Sequence, residues 1–169
     1  MQEVSGSSPL SSTTIMAKTH ILYAHLADQS FPSEGGKLNI IGVFAGIGNP
    51  GTIGVAKFPS VYPRLAMAIG LATTKKELPV TISFRDESGT DVVSPFSGTF
   101  QIDRQGAAKA QESANVNFNL NFDTFQLAKP GKLTLTIESD GDELAELELN
   151  VVQVEQQQQP PPQAFPTKE

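Results

Sequence analysis

The sequence has no cysteine among its 169 residues and no long apolar run. The absence of cysteine excludes disulfides, thiolate nucleophiles and zinc sites built on sulfur. No apolar run approaches the roughly eighteen residues that a membrane-spanning helix needs, so no membrane span is predicted. Residues 1–14 are rich in Ser and Thr, with Glu3 as their only charge, and contain no apolar segment typical of a secretory signal. A cytoplasmic location is therefore expected.

Clustered basic residues are also lacking, although a nucleic-acid footprint depends on them. The nearest approach to such a cluster is the pair Lys75-Lys76. The net charge is −6, and residues 138–155 hold seven acids without a single base, which leaves the rest of the chain near neutrality. The sequence therefore predicts no nucleic-acid partner.

Residues that could act as the base of a serine-type hydrolase are scarce, because His20 and His25 are the only histidines. Their separation by five positions within one strand would place them on opposite faces of a sheet. No Gly-x-Ser-x-Gly motif is present. The Gly46-Ile47-Gly48 segment lacks the Gly-Lys-Ser/Thr sequence and the following helix of a phosphate-binding loop. We therefore expect a protein that is not an enzyme, and we assign no catalytic, cofactor-binding or metal-binding residues.

Short runs in which apolar and polar residues alternate are abundant, and such runs are typical of β-strands. The opening pair, at 21–27 and 37–44, flanks a polar loop and predicts a hairpin. Because both runs are apolar on both faces at their centres, we expect both strands to lie in the interior of sheets. Further strands are predicted near 52–56, 65–71, 80–84, 96–102, 116–122, 133–137 and 147–151. The polar, Ala-rich segment 104–113 is a candidate for a short helix, but it has few apolar positions with which to anchor one.

Two of these strands have unusual second faces. In the run 64–71, the second face after Arg64 carries only Ala66, Ala68 and Gly70, so another layer or a partner is expected close to it. The run 115–122 alternates a core face with a row of asparagines: Val116, Phe118, Leu120 and Phe122 against Asn115, Asn117, Asn119 and Asn121.

The last two runs are separated by Asp140-Gly141, which predicts a tight hairpin. The final run carries Glu146 and Glu148 on its outer face. Charged side chains of this kind protect an edge strand against pairing with other chains, so we expect this run at the edge of a sheet.

Seven to nine short strands, separated by Gly, Pro and Asp turns, predict an all-β fold, an antiparallel two-sheet β-sandwich. The strand count leaves immunoglobulin-like, C2-like and jelly-roll topologies open. The domain is expected at residues 17–155, between a disordered leader at 1–16 and a disordered Gln/Pro-rich tail at 156–169. Met16 also offers a second start for the chain.

Several motifs together resemble an uncharacterised bacterial family of short all-β proteins, a domain of unknown function. They are Leu26-Ala27-Asp28, the run from Gly36 to Phe44, Phe58-Pro59 followed by Pro63-Arg64-Leu65, and the Asp140-Gly141 hairpin. The resemblance covers residues 19–152. It implies a bacterial origin and the β fold, and it implies no reaction, cofactor or site.

Calcium is the best candidate for a bound ion, because hard oxygen ligands suit it and six acids lie in or beside turns: Asp86, Glu87, Asp91, Asp140, Asp142 and Glu143. Acids are also standard turn residues, and neither cluster has the spacing of a known calcium loop, so plain turns are favoured. The asparagine row could bind a glycan or face water.

The leading prediction is therefore a non-catalytic binding or assembly module that acts through contact with protein, either itself or another chain. The alternative is a carbohydrate- or calcium-binding accessory domain. An enzyme is the third class.

Overall fold

The structure, a computed structural model, describes residues 18–34, 37–102 and 113–155. The predicted leader, the predicted tail and nearly all of the segment considered as a helix at 104–113 lie outside these residues. Eleven strands are present in the described ranges: β1 Thr19–Pro32, β2 Leu38–Gly46, β3 Gly51–Val55, β4 Ser60–Tyr62, β5 Leu65–Thr73, β6 Glu77–Asp86, β7 Asp91–Gln101, β8 Ala114–Phe122, β9 Phe125–Leu127, β10 Gly131–Ser139 and β11 Asp142–Gln153.

Nine of these strands form two main sheets. The four-stranded sheet has the order β2-β1-β5-β8, and the five-stranded sheet has the order β3-β11-β10-β6-β7. Strands β4 and β9 form a separate ribbon. The predicted all-β sandwich is confirmed, and the strands of the main sheets match the predicted number. One pair departs from the antiparallel pattern, because β3 runs parallel to β11.

The core lies between the two main sheets and is built from the inward side of the alternating runs. Met67, Ile69 and Leu71 of β5 belong to one buried cluster with Leu135 and Ile137 of β10. At one end of the sandwich, three aromatic rings close the space between the sheets. Their centroids are 5.4 Å apart for Phe84–Phe122 and for Phe84–Phe125, and 6.0 Å apart for Phe122–Phe125.

Strand β1 is central, as predicted, but β2 is an edge strand. The expectation of an interior position for the run 37–44 is therefore wrong. Ile41 and Val43 each expose 52% of their surface. An apolar run predicts a strand, but it does not show whether that strand has neighbours on both sides or lies at the edge of the sheet.

The hairpin between β10 and β11 turns at Asp140 and Gly141, as predicted. Their φ angles are 55° and 85°, the left-handed conformations that favour Asp-Gly in such turns. Strand β11 lies at the edge only in part, because β3 pairs with its half from Leu149 to Gln153. The prediction of an edge strand therefore fails for that half of β11. No helix among the described residues is long and apolar enough to cross a membrane.

Candidate protein-contact surfaces

Strand β5 is buried on both faces along its whole length. Ala66 and Ala68, on the face of small residues, have no solvent exposure. A Cβ atom added at Gly70 would lie 2.2 Å from Cε1 of Tyr23. A second layer close to this face was expected, and it is present. It belongs to the same chain, so the expectation that a partner could occupy this face is wrong.

The cover over β5 comes from β1 and β8, its two neighbours in the sheet. The hydroxyl of Tyr23 donates to Oδ1 of Asn117 at 2.9 Å, across Gly70. The carbonyl oxygen of Ser30 accepts hydrogen bonds from the side-chain amides of Asn119 and Asn121, at 3.2 and 3.3 Å. Since β5 lies between β1 and β8, these bonds place the far end of β1 over β5.

The asparagine row is therefore engaged within the chain. Asn117, Asn119 and Asn121 each make the hydrogen bonds just described, and Asn115 is exposed. Fewer of these side-chain amides are therefore available for the carbohydrate binding that the alternative hypothesis assigned to this face. On the other side of β8, Phe118 and its apolar neighbours are only partly buried, because β8 is an edge strand.

The two histidines lie on the same face of the sheet, so the prediction of opposite faces is wrong. Leu22 is an extra residue in the pairing of β1 with β5, which places His20 opposite Ala72 and His25 opposite Ala68. A bulge of one residue reverses the side on which every following residue points. The ring of His25 stacks on Tyr23, with centroids 5.7 Å apart.

The turn acids are divided between opposite ends of β10. Asp86 lies beside Leu133, and Asp142 lies beside Ser139. Within the described ranges, no group of three or more His, Asp or Glu residues is placed to hold a metal ion.

The first of these turns is organised by hydrogen bonds to a single carboxylate. Oδ1 of Asp86 accepts from the backbone amides of Ser88 and Thr90 at 2.9 and 3.1 Å, and Oδ2 lies 3.0 Å from Nζ of Lys129. Hydrogen bonds from Ser88, then from Lys129 and Thr90, hold the pKa of Asp86 well below its usual range. These contacts are those of an Asx turn, which supports the interpretation of Asp86 as a turn residue.

The second turn has its own cation. Asp140 forms a salt bridge with Lys75, and this hydrogen bond lowers the pKa of the carboxyl group. Both clusters of turn acids thus contain a carboxylate that is already paired with a lysine.

Exposed apolar side chains concentrate on β1, β2 and the turn after β2. Leu22, Val43 and Ile47 line one open cavity of about 290 Å³, with Tyr23 and His25 among its other walls. Ile41 follows on the same face of β2, two positions from Val43. These residues expose between 47% and 52% of their surface. We refer to Leu22, Ile41, Val43 and Ile47 as the contact patch.

The shape of β2 beside the contact patch depends on Gly42. Its φ angle is 69°, and an added Cβ atom would lie 2.1 Å from Oδ2 of Asp28. The same carboxylate accepts a hydrogen bond of 3.0 Å from the hydroxyl of Tyr62. Burial, and then this hydrogen bond, raise the pKa of Tyr62. Gly42 therefore leaves room for the side chain of Asp28, which links β1 to β4 through Tyr62.

A second apolar surface lies at the opposite side of the sandwich, where β8 and β7 are the edges of their sheets. An open groove of about 250 Å³ runs between them. The rings of Phe100 and Phe118 meet in it with centroids 4.3 Å apart, and Phe96 exposes 39% of its surface. We call it the β7–β8 groove.

Sequence reasoning missed both surfaces, because a half-exposed apolar residue has the same pattern as a buried one. A signal for the contact patch was nevertheless present. Gly42 interrupts an otherwise continuous apolar run, and a glycine within a strand often marks a local distortion of the sheet.

Comparisons with known proteins give a family but no activity. A model of a family of unknown function (DUF6941) matches residues 22–152, which is nearly the range of the resemblance described above. No curated protein matches the chain in sequence.

Several solved structures resemble the chain at low identity. An immunoglobulin-like protein from Pseudomonas aeruginosa is 14% identical, with a TM-score of 0.42 and coverage of 79% of this chain and 96% of that protein. The alkylpurine DNA glycosylase AlkC from Pseudomonas fluorescens, bound to DNA, is 13% identical with a TM-score of 0.38, and β-glucuronidase from Bifidobacterium dentium is 12% identical with a TM-score of 0.36. The matches cover 80% and 79% of this chain but only 30% and 18% of those two proteins. At these identities the likeness concerns the fold alone.

Proposed function

The chain belongs to the DUF6941 family of unknown function, and we propose that it is a non-catalytic binding module that acts through contact with another protein. The observation that carries this proposal is the contact patch. Four large apolar side chains, each about half exposed, lie together on one region of the surface. Burying such side chains in an interface releases about 25 cal/mol per Å² of apolar area, which favours association.

The charge distribution supports the same surface. Strand β2 carries no charged residue from Leu38 to Gly46. The seven acids of residues 138–155 lie on the β10–β11 hairpin and at the end of β11, in the other sheet. A partner that meets the contact patch does not have to remove charged groups of β2 from water, which would oppose binding. A bacterial, cytoplasmic setting without nucleic acid belongs to the same proposal.

Capture from an extract of the source cells, with matched variants as bait, tests this function. Val43→Glu places a charge in the contact patch, whereas Val61→Glu places one on β4, outside the patch, at a residue with 53% exposure. We expect the proteins retained by the wild-type chain to be retained by Val61→Glu and lost with Val43→Glu. Thermal unfolding should show that both variants are folded. If the three baits retain the same proteins, the contact patch is not the binding surface.

A further inference from the structure

We propose that the outer edge of β8 and the β7–β8 groove bind an extended peptide segment of a partner protein by strand addition. In this mode, main-chain hydrogen bonds extend the sheet, and pockets receive alternate side chains. The surface is separate from the contact patch, at the other edge of the four-stranded sheet.

The edge of β8 has the regularity that such pairing requires. Strand β8 pairs with β5 at nine consecutive positions without a bulge. It contains neither a charged residue nor a proline. Bulges, charges and prolines are the devices by which edge strands avoid pairing with other chains.

The other edges of the main sheets have such devices or are short. Strand β2 has an irregularity opposite Leu26 and Ala27. Strand β7 contains Pro95 and two irregularities in its pairing with β6. Strand β3 has only five residues. Among the described residues, β8 is thus the edge best prepared to accept a further strand.

The groove beside this edge selects uncharged side chains. Six apolar residues line it: Val80, Ile82, Phe96, Phe100, Phe118 and Leu120. Asn117 and Asn119 of β8 also border it, and their side-chain amides form hydrogen bonds on the other face of the strand. Because none of these side chains is charged, a charged residue of a ligand would lose its hydration without gaining a partner. The volume of about 250 Å³ is below the range of about 300–1,000 Å³ typical of pockets for drug-sized molecules, which favours side chains of a peptide.

The two faces of β8 determine which residue types are expected in the added peptide strand. Every second residue of an edge strand directs its backbone N–H and C=O away from the paired strand, so β8 offers a ladder to a new neighbour. Side chains of the added strand alternate between the groove and the face of the asparagine row. The matching segment is therefore uncharged and proline-free, with apolar residues alternating with Ser, Thr, Asn or Gln.

Selection of short random peptides displayed on phage, with the full chain as target, tests this proposal. We expect enriched peptides to show the alternating apolar and polar pattern. Their affinity, measured by fluorescence anisotropy, should fall at least about tenfold for Phe96→Glu, which places a charge in the groove. Val43→Glu, in the contact patch, is the matched control and should leave the affinity unchanged.

N-methylation of the best peptide tests the main-chain ladder without changing the protein. A methyl group on an amide that faces β8 removes a hydrogen bond and blocks the approach, whereas a methyl group on the adjacent amide faces away. We expect binding to be lost at one of the two positions and kept at the other. Equal affinity of both methylated peptides and the parent would refute strand addition.

Two other results would also overturn the inference. One is that no peptide is enriched. The other is that the enriched peptides bind Phe96→Glu normally and lose affinity for Val43→Glu. This second result would place peptide binding at the contact patch, which would support the proposed function while excluding the groove.

Discussion

At the residue scale, the side chains on the second face of β5 are small because the chain packs against itself there. Ala66 and Ala68 have no exposure, and Gly70 lies under the ring of Tyr23. Small residues permit close approach, but they do not identify what approaches. The alternating pattern therefore predicted that something packs closely on this face of β5, but not which residues do so. The packing depends on Ser30 and on asparagines about ninety positions later in the chain.

Ala68→Arg should accordingly destabilise the fold rather than affect a partner. The long side chain has no room, and its charge would be buried without an acid, so we expect a loss of at least about 3 kcal/mol. Urea-induced unfolding measures this loss. Val61→Arg, at an exposed position, is the control and should change stability by less than about 0.5 kcal/mol. An Ala68→Arg variant as stable as the wild-type chain would mean that this face is open.

The asparagines of β8 should differ in their contributions to stability. Asn119→Ala removes a hydrogen bond to the carbonyl of Ser30 and should cost about 1 kcal/mol, whereas Asn115→Ala, at an exposed residue, should be silent. Phe118→Ala should cost about 3 kcal/mol, the lower limit for a buried phenylalanine, because Phe118 is only partly buried. Chemical denaturation of the three variants tests this order. Equal costs for Asn115→Ala and Asn119→Ala would contradict it.

At the element scale, the turns are stabilised by their carboxylates, and this makes them sensitive to acid. Asp86 is the clearest case, because Ser88, Thr90 and Lys129 all interact with it in the turn between β6 and β7. The abundance of Asp in turns allowed this role to be predicted from the sequence. The ion pairs with Lys129 and Lys75 were not predictable, because they join residues far apart in the chain.

The stability of the protein should fall in acid partly through Asp86. Its pKa is lower in the folded chain than in the unfolded chain, where aspartate has a pKa of about 4. The stabilisation is therefore complete above that pH and is lost as the pH falls toward the lower pKa of the folded state. Asp86→Asn cannot titrate, so its melting temperature should decline less steeply than that of the wild-type chain below about pH 4. Parallel pH profiles of the two proteins would contradict this assignment.

Calcium should leave the melting temperature nearly unchanged if the turn acids only form turns. A site with a micromolar dissociation constant would add about 4 kcal/mol at a thousandfold excess of the ion. Thermal unfolding in millimolar calcium, with and without chelator, measures the difference. A reversible increase of many degrees would support the calcium-binding alternative.

At the scale of the whole molecule, local patterns predicted the strands well, and the positions of the strands less well. Alternation predicted the β fold and most strands, because it reflects the inward and outward sides of one element. The edge position of β2 and the placement of His20 and His25 on the same face of the sheet both follow from pairing between strands. The bulge at Leu22, for example, depends on the register of β1 against β5 and leaves no trace in an apolar run.

The limits of the domain also remain a prediction at this scale. A chain shortened to residues 17–155 should melt within about one or two degrees of the full-length protein, which corresponds to a few tenths of a kcal/mol for a domain of this size. Differential scanning calorimetry provides the comparison. A decrease of about ten degrees would show that one of the removed ends packs on the sandwich.

Because β3 pairs with β11, which lies much later in the chain, β3 cannot form this pairing until β11 has been synthesised. Gly51 of β3 pairs with Leu149 of β11, roughly a hundred residues later in the chain. At about 5–20 residues per second, a ribosome takes on the order of 5 to 20 seconds to make that length. During this interval the neighbour of β3 in the sheet has not yet been synthesised. The five-stranded sheet can therefore be completed only after β11 has been synthesised, and β3 lacks its partner strand until then.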